Sequence, residues 1–225
     1  MIARLVIRTA IWLAVMAGLL FGTAGTLAWP QAWIYLAELG GSGLLVGLWL
    51  ARHDPDLLAQ RLSPPVQREQ PVWDRILMSC FVLLFVGWMI VMALDARRFD
   101  LSHVPPWLQV VGAIAIPTSM SITWLVFRAN SYAAPVVKVQ RERGQAIVTS
   151  GPYRIVRHPM YGGAVLFIFG TPLLLGSWYG VAWAPLFVIL IGVRAVFEEQ
   201  TLAQVFPAYA EYRARVRYRM VPFVW

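Results

Sequence analysis

The chain has 225 residues, of which 59% are hydrophobic and only 13% are charged, and its formal net charge is +8. A soluble domain carries about 25% charged residues, so this composition excludes an ordinary soluble domain and indicates a membrane protein. The single cysteine excludes a disulfide within the chain and a cysteine-based metal cluster. The three histidines share no ligand spacing, so no metal site is predicted. No basic stripe lies on a soluble domain, so nucleic acid is not expected as a partner.

Apolar segments follow one another along the chain and are the first structural signal. Four of them have about the 20 residues that a spanning helix needs, and two shorter ones follow. The first segment comes after Arg4 and Arg8 and resembles a signal peptide, but the further apolar segments favour an uncleaved first transmembrane helix. A five-helix arrangement, in which one short segment does not span, stays open. The predicted segments are residues 8–28, 31–51, 75–94, 106–128, 161–176 and 179–197.

The basic residues are distributed unevenly between the segments that connect these helices. If the N-terminus faces the cytosol, every basic residue except Arg97 and Arg98 belongs to an inner segment, and those two are balanced by Asp95 and Asp100. The positive-inside rule then predicts that both termini face the cytosol. The sequence therefore predicts an all-α, polytopic transmembrane bundle of about six helices, N-in and C-in.

Three features of the N-terminal half raise functional questions. Glu38 lies within the second apolar segment, where an acid is a functional hypothesis by default. The interpretation favoured here is a hydrogen bond to a neighbouring helix or a position near a membrane interface. The glycines of GSGLLVG, residues 41–47, follow no strand, so they indicate close helix packing instead of dinucleotide binding. The charges of REQPVWDR, residues 68–75, are expected to be solvated at the start of a helix.

The stretch SGPYRIVRHPMYGG, residues 150–163, interrupts the apolar pattern. Gly151 and Pro152 predict a turn, and Pro159 ends any helix that precedes it. Such residues leave backbone N–H and C=O groups without helical partners. At membrane depth that backbone is tolerated only where protein or a cavity covers it. This stretch therefore predicts a ligand pocket.

The sequence after the last apolar segment carries a second polar pattern. In VRAVFEEQTLAQVFPAYAEYRARV, residues 193–216, Arg194 and Glu198 are four residues apart and so share one helix face. The final segment, residues 211–225, has arginines at alternate positions. Most of these are expected to attract anionic lipid at the inner leaflet, at about 1 kcal/mol each.

Taken together, these motifs resemble the isoprenylcysteine carboxyl methyltransferase family, part of a wider group of membrane methyltransferases that includes the phospholipid N-methyltransferases. The resemblance covers about residues 130–222 and rests on VTSGPYR, RHPMYGG, R-x-x-x-EE-x-x-L and Y-x-x-Y-x-x-x-V in this order. The apolar segments predict an N-terminal four-helix region, residues 1–128, and the resemblance implies a C-terminal catalytic region, residues 129–225. The catalytic region would hold S-adenosylmethionine in a cytosol-facing pocket without a Rossmann fold.

The resemblance also implies roles for individual residues. Arg194 would face the methyl acceptor, and Glu198 would hold a cationic or amine part of the cofactor; these two are the implied catalytic residues. The implied cofactor contacts are Gln140, Gln145, Ala146, Ile147, Val148, Tyr153, His158, Pro159, Met160, Tyr161 and Glu198.

The function that follows is carboxyl methylation of an isoprenoid or other lipophilic acceptor by a multi-pass membrane enzyme, in the inner membrane if the source is bacterial. Three alternatives stay open. Phospholipid N-methylation is the neighbouring activity. An NADPH-dependent sterol-type reductase carries a similar R-H-x-x-Y-x-G stretch but usually an acid soon afterwards, where this chain has Ala164 and Val165. A transporter or helical scaffold is the non-enzymatic alternative.

Overall fold

A computed structural model describes residues 1–67, 70–137 and 140–225. Within these ranges it contains eight α-helices and no β-strand, which confirms the predicted all-α class. The fourth helix continues as a π-helical turn, Leu94–Arg98. The helices are α1 Ile2–Ala24, α2 Pro30–His53, α3 Pro55–Arg61, α4 Val72–Ala93, α5 Pro106–Ala129, α6 Pro159–Leu175, α7 Trp178–Val205 and α8 Tyr209–Arg215.

In the described part of the chain, five helices are long and apolar enough to cross a membrane: α1, α2, α4 with its π-helical turn, α5 and α7. The chain is thus a multi-pass integral membrane protein. The sixth apolar helix, α6, has 17 residues and is shorter. Each predicted segment is found as a helix, but three boundaries differ by four residues or more. The first helix begins at Ile2 instead of residue 8. The first helix ends at Ala24 because Gly25 adopts a left-handed conformation, with φ 72°. The last extends to Val205, beyond the apolar segment, because its polar end packs against the C-terminal part of the chain. The N-in, C-in orientation stays a prediction.

Small residues let α5 and α6 pack with their backbones in contact. A Cβ atom added to Gly112 would lie 2.5 Å from the carbonyl oxygen of Gly170, and one added to Gly170 would lie 2.8 Å from Cβ of Ala115. Close approach of this kind is the usual use of small residues between membrane helices. It holds α6 firmly against α5.

Among the described residues, Oε2 of Glu38 is buried without a partner, so the hydrogen bond expected for that atom is not found.

One end of the bundle, called here the opposite end, consists of the turns at residues 25–29, 94–105 and 176–180. Its centre is the buried carboxylate of Asp95, which accepts hydrogen bonds from Ser102 Oγ at 2.7 Å and Ser177 Oγ at 2.5 Å. Oγ of Ser177 also caps α7 by accepting from the Gly180 N–H at 2.9 Å. These bonds join the turn after α4 to the turn between α6 and α7.

The other end, called here the site end, holds α3, residues 130–137 and 140–158, the start of α6, the end of α7, α8 and the tail, residues 216–225. The tail returns to the start of α6, where Val156 and Tyr218 form a single parallel bridge. The Arg157 N–H donates to the Tyr218 carbonyl at 2.9 Å, and the His158 N–H donates to the Arg219 carbonyl at 2.7 Å. The tail thus supplies partners for backbone groups that Pro159 leaves outside the helix.

Candidate functional site

A cavity of about 120 Å³, partly open to solvent, lies at the site end. The walls come from the segment between α5 and α6, the start of α6, the end of α7 and α8. The structure brings almost all of the sequence-predicted site residues to this one cavity: Gln145, Ala146, Ile147, Val148, Tyr153, His158, Pro159, Met160, Tyr161, Arg194 and Glu198.

Gln140 is the predicted site residue that lies behind the wall. Its side chain is fully buried, and its Nε2 donates to the Tyr132 carbonyl at 3.0 Å. Its backbone N–H donates to Oε1 of Gln145 at 2.7 Å, and its Oε1 accepts from Arg143 Nη1 at 2.6 Å. Gln140 therefore shapes the loop that carries Gln145 and does not itself line the cavity.

The carboxylate of Glu198 faces the cavity from α7. The Tyr161 hydroxyl donates to its Oε2 at 2.7 Å, and Nδ1 of His158 lies 3.9 Å from the same oxygen. The rings of His158 and Tyr161 stack in parallel, with their centroids 5.3 Å apart. The Glu198 side chain keeps 28% of its surface exposed, so it has room to bind a further cation or hydroxyl.

The next residue, Glu199, points away from the cavity into a buried cluster. It accepts from Arg157 Nε at 2.7 Å, from Arg219 Nε at 3.1 Å, and lies 3.3 Å from His158 Nε2. Arg157 also donates to the carbonyls of Val216 and Arg217. We call Arg157, Glu199 and Arg219 the tail clamp, because they hold the tail on α6 and α7. This cluster was not predicted from the sequence, where most of the tail arginines were expected at anionic lipid; the second glutamate of the EE pair was the available signal.

Arg194 forms an ion pair with a residue that the sequence analysis placed in solvent. Its Nε donates to Oδ1 of Asp74 at 2.7 Å, and its Nη2 donates to the Pro135 carbonyl at 2.9 Å. Asp74 has no exposed surface, so the expectation of solvated charges is wrong for this residue. Arg68 and Glu69, in the same motif, lie outside the described residues. Arg194 and Glu198 line one cavity, as their spacing indicated, but have different partners.

Aromatic side chains form much of the remaining wall. The Tyr212 hydroxyl donates to the Tyr153 carbonyl at 2.9 Å, and Asn130 Nδ2 donates to the Tyr153 hydroxyl at 2.8 Å. Burial raises the pKa of Tyr212 to about 12 and also raises the pKa of Tyr153, so both phenols are neutral at pH 7. The Tyr209 hydroxyl is buried and has no partner within the described part of the chain.

Arg61, in α3, is a further cation at the site end. Its Nη1 donates to the Ala133 carbonyl at 3.4 Å, and its guanidinium lies over the Phe127 ring. Burial and the positive charge of Arg194 lower the pKa of Arg61 to about 10, so it stays charged at neutral pH.

Within the described ranges, no three His, Cys, Asp or Glu side chains converge as they would around a metal ion. The site therefore offers the partly exposed carboxylate of Glu198, the anchored guanidinium groups of Arg157 and Arg194, and an apolar, aromatic wall, which suits a ligand with both charged and apolar parts.

Comparisons with known proteins point to one group of enzymes. Residues 107–209 match the family model described as phospholipid methyltransferase. The chain is similar to protein-S-isoprenylcysteine O-methyltransferase B of Arabidopsis thaliana, with 36% identity over 91 residues, which are 40% of this chain and 46% of that protein. It is also similar to protein-S-isoprenylcysteine O-methyltransferase of Dictyostelium discoideum, with 26% identity over 187 residues, 81% of this chain and 74% of that protein. The alignment spans about half the length of the Arabidopsis relative. These matches confirm the family resemblance that the motifs predicted.

Proposed function

We propose that this membrane protein, a relative of the isoprenylcysteine and phospholipid methyltransferases, transfers a methyl group from S-adenosylmethionine to the carboxylate of an isoprenoid or other lipophilic acceptor. The observation that carries the proposal is the cavity itself. It presents the accessible carboxylate of Glu198 and the anchored guanidinium of Arg194 to one space, at the level where the apolar helices end. Those two groups suit the two reactants of a carboxyl methylation.

The residues present fit S-adenosylmethionine. The exposed edge of Glu198 is suited to its ammonium group or its ribose hydroxyls, since a carboxylate accepts strong charge-assisted hydrogen bonds. The buried Tyr209 hydroxyl has a free hydrogen-bonding capacity on the same wall. Ala146, Ile147 and Val148 supply an apolar surface for an adenine ring. When bound, the sulfonium of the cofactor supplies an electrophilic methyl group.

The residues of the chain then have little proton chemistry to perform. An acceptor carboxylate is ionised at neutral pH and is already a nucleophile, so no general base is needed. What remains is to orient the two groups in line and to exclude water from both. The Tyr161 hydroxyl and the stacked His158 ring fix the Glu198 carboxylate for this purpose.

Arg194 is proposed to orient the acceptor. Its Nε and Nη2 are used by Asp74 and Pro135, while its Nη1 has no hydrogen-bond partner among the described residues. A guanidinium whose plane is fixed can donate to an incoming carboxylate with defined geometry. We therefore expect Arg194→Ala to reduce turnover more than it reduces cofactor affinity.

The test of the cofactor site is Glu198→Ala, with Glu211→Ala on the exposed side of α8 as the matched control. Isothermal titration of the detergent-purified proteins with S-adenosylhomocysteine should show at least about 100-fold weaker binding for Glu198→Ala, equivalent to about 2.7 kcal/mol. The control should bind like the wild type. Unchanged affinity in Glu198→Ala would refute the assignment of this carboxylate.

Phospholipid amine methylation is the second candidate, and the match of residues 107–209 to the phospholipid methyltransferase model favours it. The two candidates differ in the acceptor. Purified protein with radiolabelled S-adenosylmethionine should be supplied in parallel with an N-acetylated prenylcysteine and with phosphatidylethanolamine vesicles. Label in a base-labile methyl ester supports carboxyl methylation; label that is stable in base and found in the phospholipid supports the second candidate.

A further inference from the structure

Asp74 lies in the first turn of α4, before the region that matches the phospholipid methyltransferase model, and its side chain is fully buried. It accepts hydrogen bonds from Gln70 Nε2 at 2.6 Å, from the Val137 N–H at 2.9 Å and from Arg194 Nε at 2.7 Å. A buried carboxylate is tolerated when its charge is paired and its lone pairs are bonded. Asp74 therefore joins α4, the segment after α5 and α7 at one point beside the cavity.

The contact between Asp74 and Arg194 fixes the guanidinium from one side. Nε lies 2.7 Å from Oδ1 and Nη2 lies 3.4 Å from Oδ2, while the Pro135 carbonyl accepts from Nη2 at 2.9 Å. The guanidinium carbon is 5.8 Å from the centre of the Tyr161 ring. Several hydrogen bonds along one edge of the guanidinium fix the orientation of its plane, which would otherwise change as the flexible arginine side chain moves.

Glu198 is the acidic residue on α7 that the Arg194 side chain could reach if it were not bonded to Asp74. The two residues are four apart on α7, a spacing that places side chains of opposite charge within reach of each other. In the structure Glu198 instead accepts from the Tyr161 hydroxyl and stays partly exposed in the cavity. An arginine deprived of its buried partner is strongly destabilised until it finds another carboxylate.

We propose that Asp74 is a positioning residue that holds Arg194 apart from Glu198. It thereby keeps one carboxylate available to the cofactor and one guanidinium available to the acceptor in the same cavity. This inference rests on the proposed function, because it takes Glu198 to be a cofactor ligand. Loss of the Asp74 charge lets Arg194 turn onto Glu198 and occupy the cofactor position.

The test measures S-adenosylhomocysteine affinity by isothermal titration in wild type, Asp74→Asn, Arg194→Gln and the double variant. We expect about tenfold weaker binding for Asp74→Asn and about wild-type affinity for Arg194→Gln. In the double variant no guanidinium remains to occupy Glu198, so its affinity should return to that of Arg194→Gln. Asp74→Glu keeps the charge and should bind more tightly than Asp74→Asn.

A structural role for Asp74 would give a different pattern. General loosening of the site would leave the double variant at least as weak as Asp74→Asn, and that result overturns the inference. Asp95→Asn, at the opposite end of the same helix, is the matched control and should keep wild-type affinity. If wild type itself binds no S-adenosylhomocysteine, the proposed function fails instead of this inference.

A milder variant covers the case in which Asp74→Asn does not fold. Gln70→Ala removes one hydrogen bond from Asp74 without removing a charge. Its effect on affinity should be smaller and should disappear in the Arg194→Gln background. An equal loss in both backgrounds contradicts the proposal.

Discussion

The two ends of α4 each bury an aspartate, but the partners differ. Asp74 at the site end is bonded to a guanidinium, an amide and a backbone N–H. Asp95 lies about 30 Å away along the helix axis. Its carboxylate accepts hydrogen bonds from two serine hydroxyls and a longer one from the backbone N–H of Tyr179. Neutral donors suffice where the carboxylate only joins turns. A paired cation is found where the carboxylate lies beside the cavity.

The site end contains more buried charge than the opposite end, because the tail clamp adds a second buried group of charged side chains beside the pair of Asp74 and Arg194. Buried ion pairs contribute little net stability against an apolar replacement, but removing one partner is costly. The opposite end should therefore tolerate single substitutions better than the site end does. The following predictions test that difference.

The largest effect is expected for Arg157→Met. It removes the shortest bond to Glu199 and two bonds to tail carbonyls, leaving a buried carboxylate with fewer partners. The free energy of unfolding should fall by about 3–5 kcal/mol, measured by unfolding in detergent. Exposed Arg154→Met is the control and should change it by less than about 0.5 kcal/mol. Equal effects of the two variants would mean that the tail clamp does not stabilise the fold.

A smaller effect is expected at the opposite end for Ser177→Ala. The variant loses the N-cap of α7 and one hydrogen bond to Asp95. We expect a loss of about 1–2 kcal/mol in the free energy of unfolding and unchanged S-adenosylhomocysteine affinity. The control is Ser121→Ala, whose hydroxyl is exposed and bonds only within α5. A loss as large as that of Arg157→Met would break the comparison between the ends.

The smallest effect is expected for Asp95→Asn. The amide keeps an oxygen for Ser102 and Ser177, and its NH₂ can occupy the position of Oδ1, which has no partner among the described residues. The free energy of unfolding should change by about 1 kcal/mol. Weakened cofactor binding in this variant would show that the two ends are coupled through α4, contrary to the separation described above.

Much of the fold could be predicted from the sequence because the hydropathy of a helix is a local property, visible in a run of consecutive residues. The apolar segments predicted the membrane helices, and α6 begins at Pro159, two residues before the predicted segment. The end of α7 was missed because residues 198–205 are polar, and only their packing beside α8 explains why the helix continues.

The candidate site could be predicted only in part, because its motifs are local in sequence whereas the contacts between their side chains are not. The motif residues reach one cavity, but their partners are distant in sequence: Asp74 pairs with Arg194 across 120 positions, and Arg157 pairs with Glu199 across 42. No local pattern indicates which acid a given arginine will meet. An acid in the first turn of a helix is favourable by itself, so Asp74 gave no sign of its burial. The assignment of roles to these residues stays a prediction.

The short length of α6 has a consequence for where the reaction would take place. With 17 residues it is about 25 Å long, whereas the hydrocarbon layer is about 30 Å thick. Since α6 ends at the turn that it shares with α7, at the opposite end, His158 at its start should lie just below the headgroups. An acyl or prenyl chain could then stay dissolved in lipid while its polar terminus is modified, and the neutral ester would be released sideways without passing through water.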